Sequence, residues 1–262
     1  MEVRRVPVPT ATRAPDGRTN TYVLGREPAV LVDPAGETDD LEGLVRDRGV
    51  DHVLLTHTHP DHVGAVAEYA RNTGATVWAR RGYVDRFREA TGVDPDRLFT
   101  PGTTIPVGEG TVTILEGSGH APDHVAIRAG EDGPICCGDC AVSEGSVVVG
   151  APEGDMRAYL STLRRLWAID PPRLLPGHGP TIEDVRPTLE RLISHRLERE
   201  RRIAGAVENG SQTIDDVLES AYEKDLTGVR DLARATVQAH LEKLAVEGDL
   251  EWDGSRVWRR EQ

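Results

Sequence analysis

The stretch from Thr56 to His62 reads THTHPDH and places three histidines and one aspartate within seven residues. It directly follows a short apolar run, VLL, which predicts that the motif begins where a buried strand ends. Histidine and aspartate are common metal ligands, and two histidines separated by one residue can point to the same side of an extended loop. The motif therefore predicts a metal site at the edge of a sheet.

Further histidine and carboxylate side chains follow predicted strands later in the chain. His120 follows TVTILEGSG, Asp139 follows GPICCG, and His178 follows PRLLPG. These strand ends can meet along one edge of the predicted sheets, so we expect their side chains to converge with the first motif. The full set of predicted metal ligands is His57, His59, Asp61, His62, His120, Asp139 and His178.

The number of predicted ligands indicates two metal ions, because one tetrahedral ion cannot use them all. Three histidines suit one ion, whereas Asp61, His62 and His178 suit the other. Asp139 can bridge the two ions through its two carboxylate oxygens. Two divalent ions lower the pKa of a bridging water and so supply hydroxide, which predicts a hydrolase with Asp61 and Asp139 as catalytic residues. The ligands suit zinc, with iron or manganese as alternatives.

Composition limits the expected location and partners. The sequence has no long apolar run and no signal-peptide core near its start, which predicts a cytoplasmic protein without a membrane segment. A formal net charge of −13 gives no overall field that would attract a polyanion, so duplex DNA is not an expected partner. The three cysteines lie together in CCGDC without a second pair, and we interpret them as buried thiols.

The pattern of predicted secondary structure changes near residue 187. Residues 1–186 mix short strands and helices and are predicted to form one α/β domain. Residues 187–262 predict three helices and a terminal hairpin at Asp253-Gly254, which is the element order of a winged helix. This second domain carries two clusters of arginines, which are Arg196, Arg199, Arg201, Arg202, Arg256, Arg259 and Arg260.

The order H-x-H-x-D-H, GH, GD and PGHG, over about residues 1 to 186, resembles the metallo-β-lactamase superfamily. The resemblance implies a four-layer αβ/βα sandwich with a two-metal site along one edge and the ligand roles given above. It also implies that Asp33, in VLVDP, supports the metal loop from behind, and we assign Thr56 the same supporting role. Pro34-Ala35 stands where related proteins often have a glycine.

Within that superfamily the chain resembles the β-lactamase-like proteins that carry a C-terminal winged helix, a group with a mitochondrial single-strand endoribonuclease. The stretches CGDCAVSEGSVVV, LLPGHGP and QAHLEKLAVEGDLEW carry this resemblance. It implies a phosphodiesterase, more specifically an endoribonuclease acting on single-stranded RNA. Asp139 stands where the commonest secreted zinc β-lactamases have a cysteine, which argues against antibiotic hydrolysis.

Two other functions fit the same predicted residues. The first is a glyoxalase II-like hydrolase of small acyl thioesters or lactones, and the second is a non-enzymatic winged-helix regulator that binds DNA. The predicted ligands do not distinguish these functions, because the metal chemistry is shared. Candidate substrate-binding residues in the walls of the site are Asn20, Thr58, Ser143 and Ser146. The expected partners are single-stranded RNA or a small ester or thioester, and a homodimer is a further alternative.

Overall fold

The structure is a computed structural model that describes residues 1–108, 110–223 and 225–260. Glu109 in the predicted domain 1–186, and Lys224, Glu261 and Gln262 in the predicted domain 187–262, lie outside the described residues. The chain divides into two compact units. The first unit comprises Met1–Gly117, Asp123–Gly145 and Ile169–Thr188, and the second comprises Ser118–Pro122, Ser146–Ala168 and Leu189–Gln262.

The first unit contains a mixed sheet of six strands in sequence order. Its strands are β1 (Val3–Pro9), β2 (Arg18–Gly25), β3 (Ala29–Val32), β4 (Val50–Leu54), β5 (Thr76–Arg80) and β6 (Arg97–Phe99). Strands β1, β2 and β3 pair antiparallel, and β3 through β6 pair parallel. The parallel strands all end at the same edge, so the loop after β4 is placed at that edge.

A second sheet in this unit has five strands in the order β11-β10-β9-β8-β7. These strands are β7 (Thr104–Val107), β8 (Gly110–Glu116), β9 (Val125–Ala129), β10 (Ile135–Gly138) and β11 (Leu174–Pro176). Only the pair of β10 with β11 is parallel among these neighbours in the described residues. Asp139 directly follows β10 and His178 lies two residues beyond β11, so both belong to the same edge of this sheet.

Alternation along the strands divides the first unit into two hydrophobic cores. On β3, Val30 and Val32 pack into a core that joins the two sheets, whereas Ala29 and Leu31 pack into the core beneath the helices. The described residues of this unit form four complete helices, which are α1 (Asp39–Arg48), α2 (Pro60–Val63), α3 (Val66–Thr73) and α4 (Val84–Thr91). The predicted α/β fold with mixed sheets and helices is confirmed.

The second unit is mainly helical. Its elements are α5 (Met156–Ile169), α6 (Val185–Glu208), α7 (Ile214–Ala221), α8 (Arg230–Glu247), β12 (Leu250–Trp252) and β13 (Val257–Arg259), with the last residue of α5 and the first four of α6 in the first unit. Thr213 and Asp216 form a capping box that begins α7. Strands β12 and β13 form an antiparallel hairpin. Along the described part of the chain, none of the helices combines the length and apolar character that a bilayer crossing requires.

A buried polar cluster in the second unit makes its stability depend on pH. His240 is fully buried, with Nδ1 3.1 Å from Glu200 Oε2, and Lys243 Nζ donates to Glu200 Oε1 at 2.7 Å. Burial lowers the pKa of His240 below 6.5 and outweighs the opposing effect of Glu200. The unfolded chain therefore takes up a proton below pH 6.5 that the folded chain resists, so stability falls as the pH decreases through this range.

We expect His240→Gln to reduce this pH dependence, because glutamine can donate to Glu200 but does not titrate. Hydrogen exchange of the α8 amides at pH 7.5 and 5.5 measures the local free energy of unfolding. In the wild-type protein this free energy should fall by as much as about 1.4 kcal/mol per pH unit below the unfolded pKa, and the variant should lose less. An equal loss in both proteins would show that His240 does not cause it.

Candidate metal centre

The predicted ligands of the first unit come together at the edge where β4, β10 and β11 end. Strand β4 ends at Leu54, the loop carries His57 and His59, and the short helix α2 then presents Asp61 and His62. Within the described residues of the first unit alone, ligand atoms lie within 4.8 Å of one another in two groups of three. These groups are His57, His62 and Asp139, and Asp61, His62 and His178.

Asp139 lies between two histidines of these groups. Its Oδ1 is 3.5 Å from His62 Nε2, and its Oδ2 is 3.4 Å from His178 Nε2. His178 Nε2 is also 3.4 Å from Asp61 Oδ2. The two oxygens of one carboxylate therefore face different imidazoles, which is the arrangement that a bridging ligand requires.

In each of these histidines Nδ1 contacts an oxygen atom outside the ligand groups, so the other ring nitrogen, Nε2, faces the centre. His57 Nδ1 lies 3.1 Å from Thr56 Oγ1, His62 Nδ1 lies 3.0 Å from Asp33 Oδ2, and His178 Nδ1 lies 2.7 Å from the carbonyl oxygen of Arg18. Metal-binding histidines usually donate their second ring N–H to an oxygen in this way. The contacts favour Nε2 as the metal-facing atom of each ring.

Asp33 supports two of these histidines at once. Its Oδ1 accepts from the Thr56 backbone N–H at 2.6 Å, and its Oδ2 accepts from the Thr56 hydroxyl, also at 2.6 Å. The same Oδ2 contacts His62 Nδ1 directly. Asp33 orients His57 indirectly, because the Thr56 hydroxyl contacts His57 Nδ1. Asp33 and Thr56 thus have the contacts expected of the supporting residues.

Two glycines allow the backbone to approach the ligands closely. A Cβ on Gly177 would lie 2.4 Å from Asp139 Oδ1 and 2.7 Å from a carbon of the His62 ring. Gly138 has a positive φ of 46°, and a Cβ there would lie 2.6 Å from Thr56 Oγ1. Any larger residue would displace a predicted ligand or its support, which gives a physical reason for glycine in the GD and PGHG motifs.

The electrostatics of the centre favour a positive charge. Burial opposes protonation of His62 and His178, yet the neighbouring carboxylates outweigh burial and raise the pKa of His62 to about 10 and that of His178 to about 11. Burial also opposes ionisation of Asp61, but its hydrogen bond with His178 and the charge of His62 hold its pKa well below 3.8. The carboxylates would stabilise a bound cation for the same reason that they stabilise a proton.

The residues present fit divalent metal ions. His62 is fully buried, and its Nε2 has no hydrogen-bond partner within residues 1–108, 110–223 and 225–260. A buried polar atom in that state is costly unless something binds it. The two groups contain only nitrogen and oxygen donors, which suit zinc, iron or manganese. The three cysteines are buried thiols outside these two groups, in agreement with the interpretation from sequence.

His59 and His120 are the two remaining predicted ligands. His59 Nδ1 lies 3.0 Å from His57 Nε2, so these neighbours in the motif also meet in space. His120 lies in the segment Ser118–Pro122 of the second unit, where its Nδ1 is 2.7 Å from the carbonyl oxygen of Val148. That contact favours Nε2 of His120 as a ligand atom, and its place in the ligand set remains a prediction.

The candidate substrate-binding residues differ in their surroundings. Asn20 is buried and donates through Nδ2 to the carbonyl oxygens of Pro176 and Gly179, which flank His178. The Thr58 hydroxyl is also engaged, since it donates to Asp123 Oδ2. Ser143 is half-buried and Ser146 is exposed. The contacts of Asn20 and Thr58 indicate positioning of the metal loops, and a substrate role for any of the four stays a prediction.

Sequence reasoning missed two polar residues beside the centre. Asp123 contacts Thr58 as described, and His124, fully buried, accepts a hydrogen bond through Nε2 from the Asp139 backbone N–H at 3.0 Å. The available signal was their position directly before the buried strand β9, whereas the predicted ligands follow strands. Nothing in their spacing indicated which residues they contact.

Comparison with known proteins identifies relatives of this chain. A Beta-lactamase-like protein 2 homolog of Drosophila melanogaster is 30% identical over 88% of this chain and 84% of its own length. An atrochrysone carboxyl ACP thioesterase of Aspergillus fumigatus is 27% identical over 79% of this chain and 66% of its own length. The crystal structure of a metallo-beta-lactamase family protein from Thermus thermophilus is 25% identical and has a TM-score of 0.78, with 98% of each chain covered.

The family model of the Metallo-beta-lactamase superfamily matches residues 14–178. That segment contains every predicted ligand of the first unit, together with the two glycine-flanked loops that shape the centre. The histidine and aspartate clusters have the geometry of a metal site rather than of isolated polar residues. The chain belongs to the metallo-beta-lactamase superfamily and is a metal-dependent hydrolase of that family.

Proposed function

We propose that the protein hydrolyses acyl thioesters. The observation that carries this proposal is the alignment with a relative named as a carboxyl ACP thioesterase over 79% of this chain. A stretch of that length in a chain of 262 residues must include the segment from His57 to His178. The similarity therefore extends over the whole set of candidate ligands.

The chemistry requires two divalent ions held by the residues of the candidate centre. His57 and His59 would hold one ion. Asp61, His62 and His178 would hold the other, and Asp139 could contribute a carboxylate oxygen to each. The sequence adds His120 to the predicted ligands. When bound, such ions supply hydroxide at neutral pH and polarise the substrate carbonyl. Zinc suits this set of nitrogen and oxygen donors, and iron and manganese remain alternatives.

The protein's own residues would position the ions and limit the access of water. The lowered pKa of Asp61 keeps its carboxylate ionised at neutral pH, so this side chain can hold a divalent cation in the site. The side chains of Asp139 and His178 are each only 11% exposed, which limits access of bulk water to the reacting atoms. These features suit attack on the acyl carbon of a thioester, because the thiolate leaving group needs little protonation to depart.

Charge supports an acyl substrate over a polyanion. The net charge of −13 gives no overall field that would attract nucleic acid. In the first arginine cluster, Arg196 is buried and donates to the Val147 carbonyl oxygen, and Arg199 lies 3.6 Å from the centre of the Tyr222 ring. Arg201 and Arg202 both pair with Glu198. These arginines have structural partners within the second unit, which weakens the case for a long phosphate-binding surface.

Cleavage of single-stranded RNA is the second candidate function, and one observation favours it. Arg256, Arg259 and Arg260 are exposed on the β12–β13 hairpin. Three helices followed by a hairpin is the element order of a winged helix, and we infer that residues from α6 to β13 form such a domain. An exposed basic hairpin could contact the phosphates of a flexible strand.

The two functions can be separated by assaying the purified, metal-loaded protein with three substrates. These are an acyl thioester followed by thiol release, a single-stranded RNA, and a chromogenic bis-phosphodiester. We expect kcat/KM for the thioester to reach at least about 10⁴ M⁻¹ s⁻¹ and to exceed both other values. RNA cleavage faster than thioester hydrolysis would overturn the proposal.

A charge-reversal variant serves as the matched control. Arg256→Glu with Arg259→Glu changes only exposed side chains, so it should leave thioester hydrolysis unchanged. If RNA is the substrate, the same variant should weaken RNA cleavage and flatten its dependence on salt, because fewer phosphate contacts remain.

A further inference from the structure

Asp123 and His124 lie directly before strand β9 and are both buried, at 4% and 0% exposure. They are not part of the hydrophobic cores, and neither belongs to the candidate ligand groups. The next residue, Val125, donates its backbone N–H to the carbonyl oxygen of Thr56 at 2.8 Å. The start of β9 is thus bonded to the beginning of the metal loop.

Asp123 holds the middle of that loop through Thr58. The Thr58 hydroxyl donates to Asp123 Oδ2 at 2.8 Å, and Arg86 Nε donates to the same hydroxyl at 2.9 Å. Arg86 Nε is also 3.3 Å from Asp123 Oδ1, which closes a three-residue network. Thr58 lies between the two histidines of the loop, so fixing its side chain restricts the backbone that carries both.

His124 holds Asp139 from the other side. Its Nε2 accepts from the Asp139 backbone N–H at 3.0 Å, which requires the proton of the neutral ring to be on Nδ1. That Nδ1 lies 3.6 Å from Cys140 Sγ. A Cβ on Gly138 would lie 2.6 Å from His124 Nε2, so the backbone before Asp139 wraps closely around the imidazole.

We propose that Asp123 and His124 are positioning residues for the metal centre. Asp123 fixes the loop that carries His57 and His59, and His124 fixes the backbone of the bridging candidate Asp139. These two adjacent residues therefore set the distance between the loop that carries His57 and His59 and the backbone of Asp139. Their contribution is geometric, because neither side chain supplies a ligand atom in the groups described above.

The test compares matched substitutions in metal-free protein that is then titrated with zinc against a chelator. Thr58→Val removes the hydroxyl at constant shape, whereas Thr58→Ser keeps it. His124→Leu removes the acceptor for the Asp139 N–H, whereas His124→Gln offers an amide oxygen near the position of Nε2. We expect about 10- to 100-fold weaker zinc binding in the valine and leucine variants and restored binding in the serine and glutamine variants.

The absorption spectrum of the cobalt-substituted protein provides a second measurement, because its visible bands report the geometry of the ligands. The valine and leucine variants should shift these bands, and the serine and glutamine variants should not. A purely structural role would lower thermal stability without changing the bands or the zinc affinity. Unchanged affinity and an unchanged spectrum in both Thr58→Val and His124→Leu would overturn the proposal.

Two milder variants keep the test decisive if the first ones fail to fold. Arg86→Met removes the partly exposed donor of the Asp123 network without opening the core. His124→Asn retains a polar side chain that is too short to reach the Asp139 N–H. Both should weaken zinc binding in proportion to the lost contact, and wild-type affinity in both would equally overturn the proposal.

Discussion

Asp139→Ala is expected to leave fewer than two metal ions per chain and to lower kcat by at least about a thousandfold. Its two oxygens face His62 and His178 from one carboxylate, so its removal takes a donor from both sides of the centre. Without the paired ions, the pKa of the attacking water rises well above neutrality, and much less hydroxide is supplied at neutral pH. Elemental analysis and steady-state kinetics measure the two effects.

Asp139→Asn is the matched control for this prediction. Asparagine keeps the shape and one acceptor oxygen but loses the negative charge, so metal content should lie between those of the wild type and the alanine variant. The fold should survive in both, because Ile135 and Cys136 on β10 remain fully buried in their sheet. Circular dichroism checks this, and two ions still bound to the alanine variant would contradict the assignment of Asp139.

Much of the candidate centre could be predicted because its residues follow strand ends. The apolar run before Thr56 marks β4, and the motif after it can only lie at the edge where that strand stops. The same reasoning applies to Asp139 after β10 and to His178 after β11. Short local patterns therefore determined which residues meet, even though the strands are far apart in sequence.

The contacts of Asp123 and His124 could not be predicted in this way. Thr58 and Asp123 are 65 positions apart, and His124 and Asp139 are 15 positions apart across two strands. No periodic pattern relates such pairs, because the contact depends on how the loops of two sheets pack. Their roles become visible only when the backbone of both loops is known.

Clusters of charged residues in the sequence predicted an exposed surface less well than strand ends predicted the candidate metal centre. The arginines of α6 form one basic cluster in sequence, yet Arg196 is 3% exposed and Arg201 pairs with Glu198 within the same helix. Arg256 and Arg259, by contrast, are exposed. The sequence alone cannot separate these cases, since an arginine can stack on an aromatic ring or donate to a buried carbonyl as readily as it can face solvent.

The second large effect is expected at Asp33. Asp33→Ala should lower the stability of the metal-free protein by about 3 kcal/mol or more, because three buried donors lose their acceptor together. These are the Thr56 backbone N–H, the Thr56 hydroxyl and His62 Nδ1. The variant should also bind zinc weakly, since the rings of His57 and His62 are no longer oriented from behind.

Asp33→Asn separates the loss of contacts from backbone strain. Asp33 has a positive φ of 50°, a conformation that asparagine tolerates and that costs alanine roughly 1 kcal/mol more. Asparagine also keeps one acceptor oxygen but presents an amide donor where a second acceptor is needed. Its stability and zinc affinity should therefore lie between those of the wild type and Asp33→Ala, as measured by urea unfolding without metal and by chelator competition. If Asp33→Ala bound zinc as tightly as the wild type, the histidines would be oriented by other contacts and the supporting role of Asp33 would be wrong.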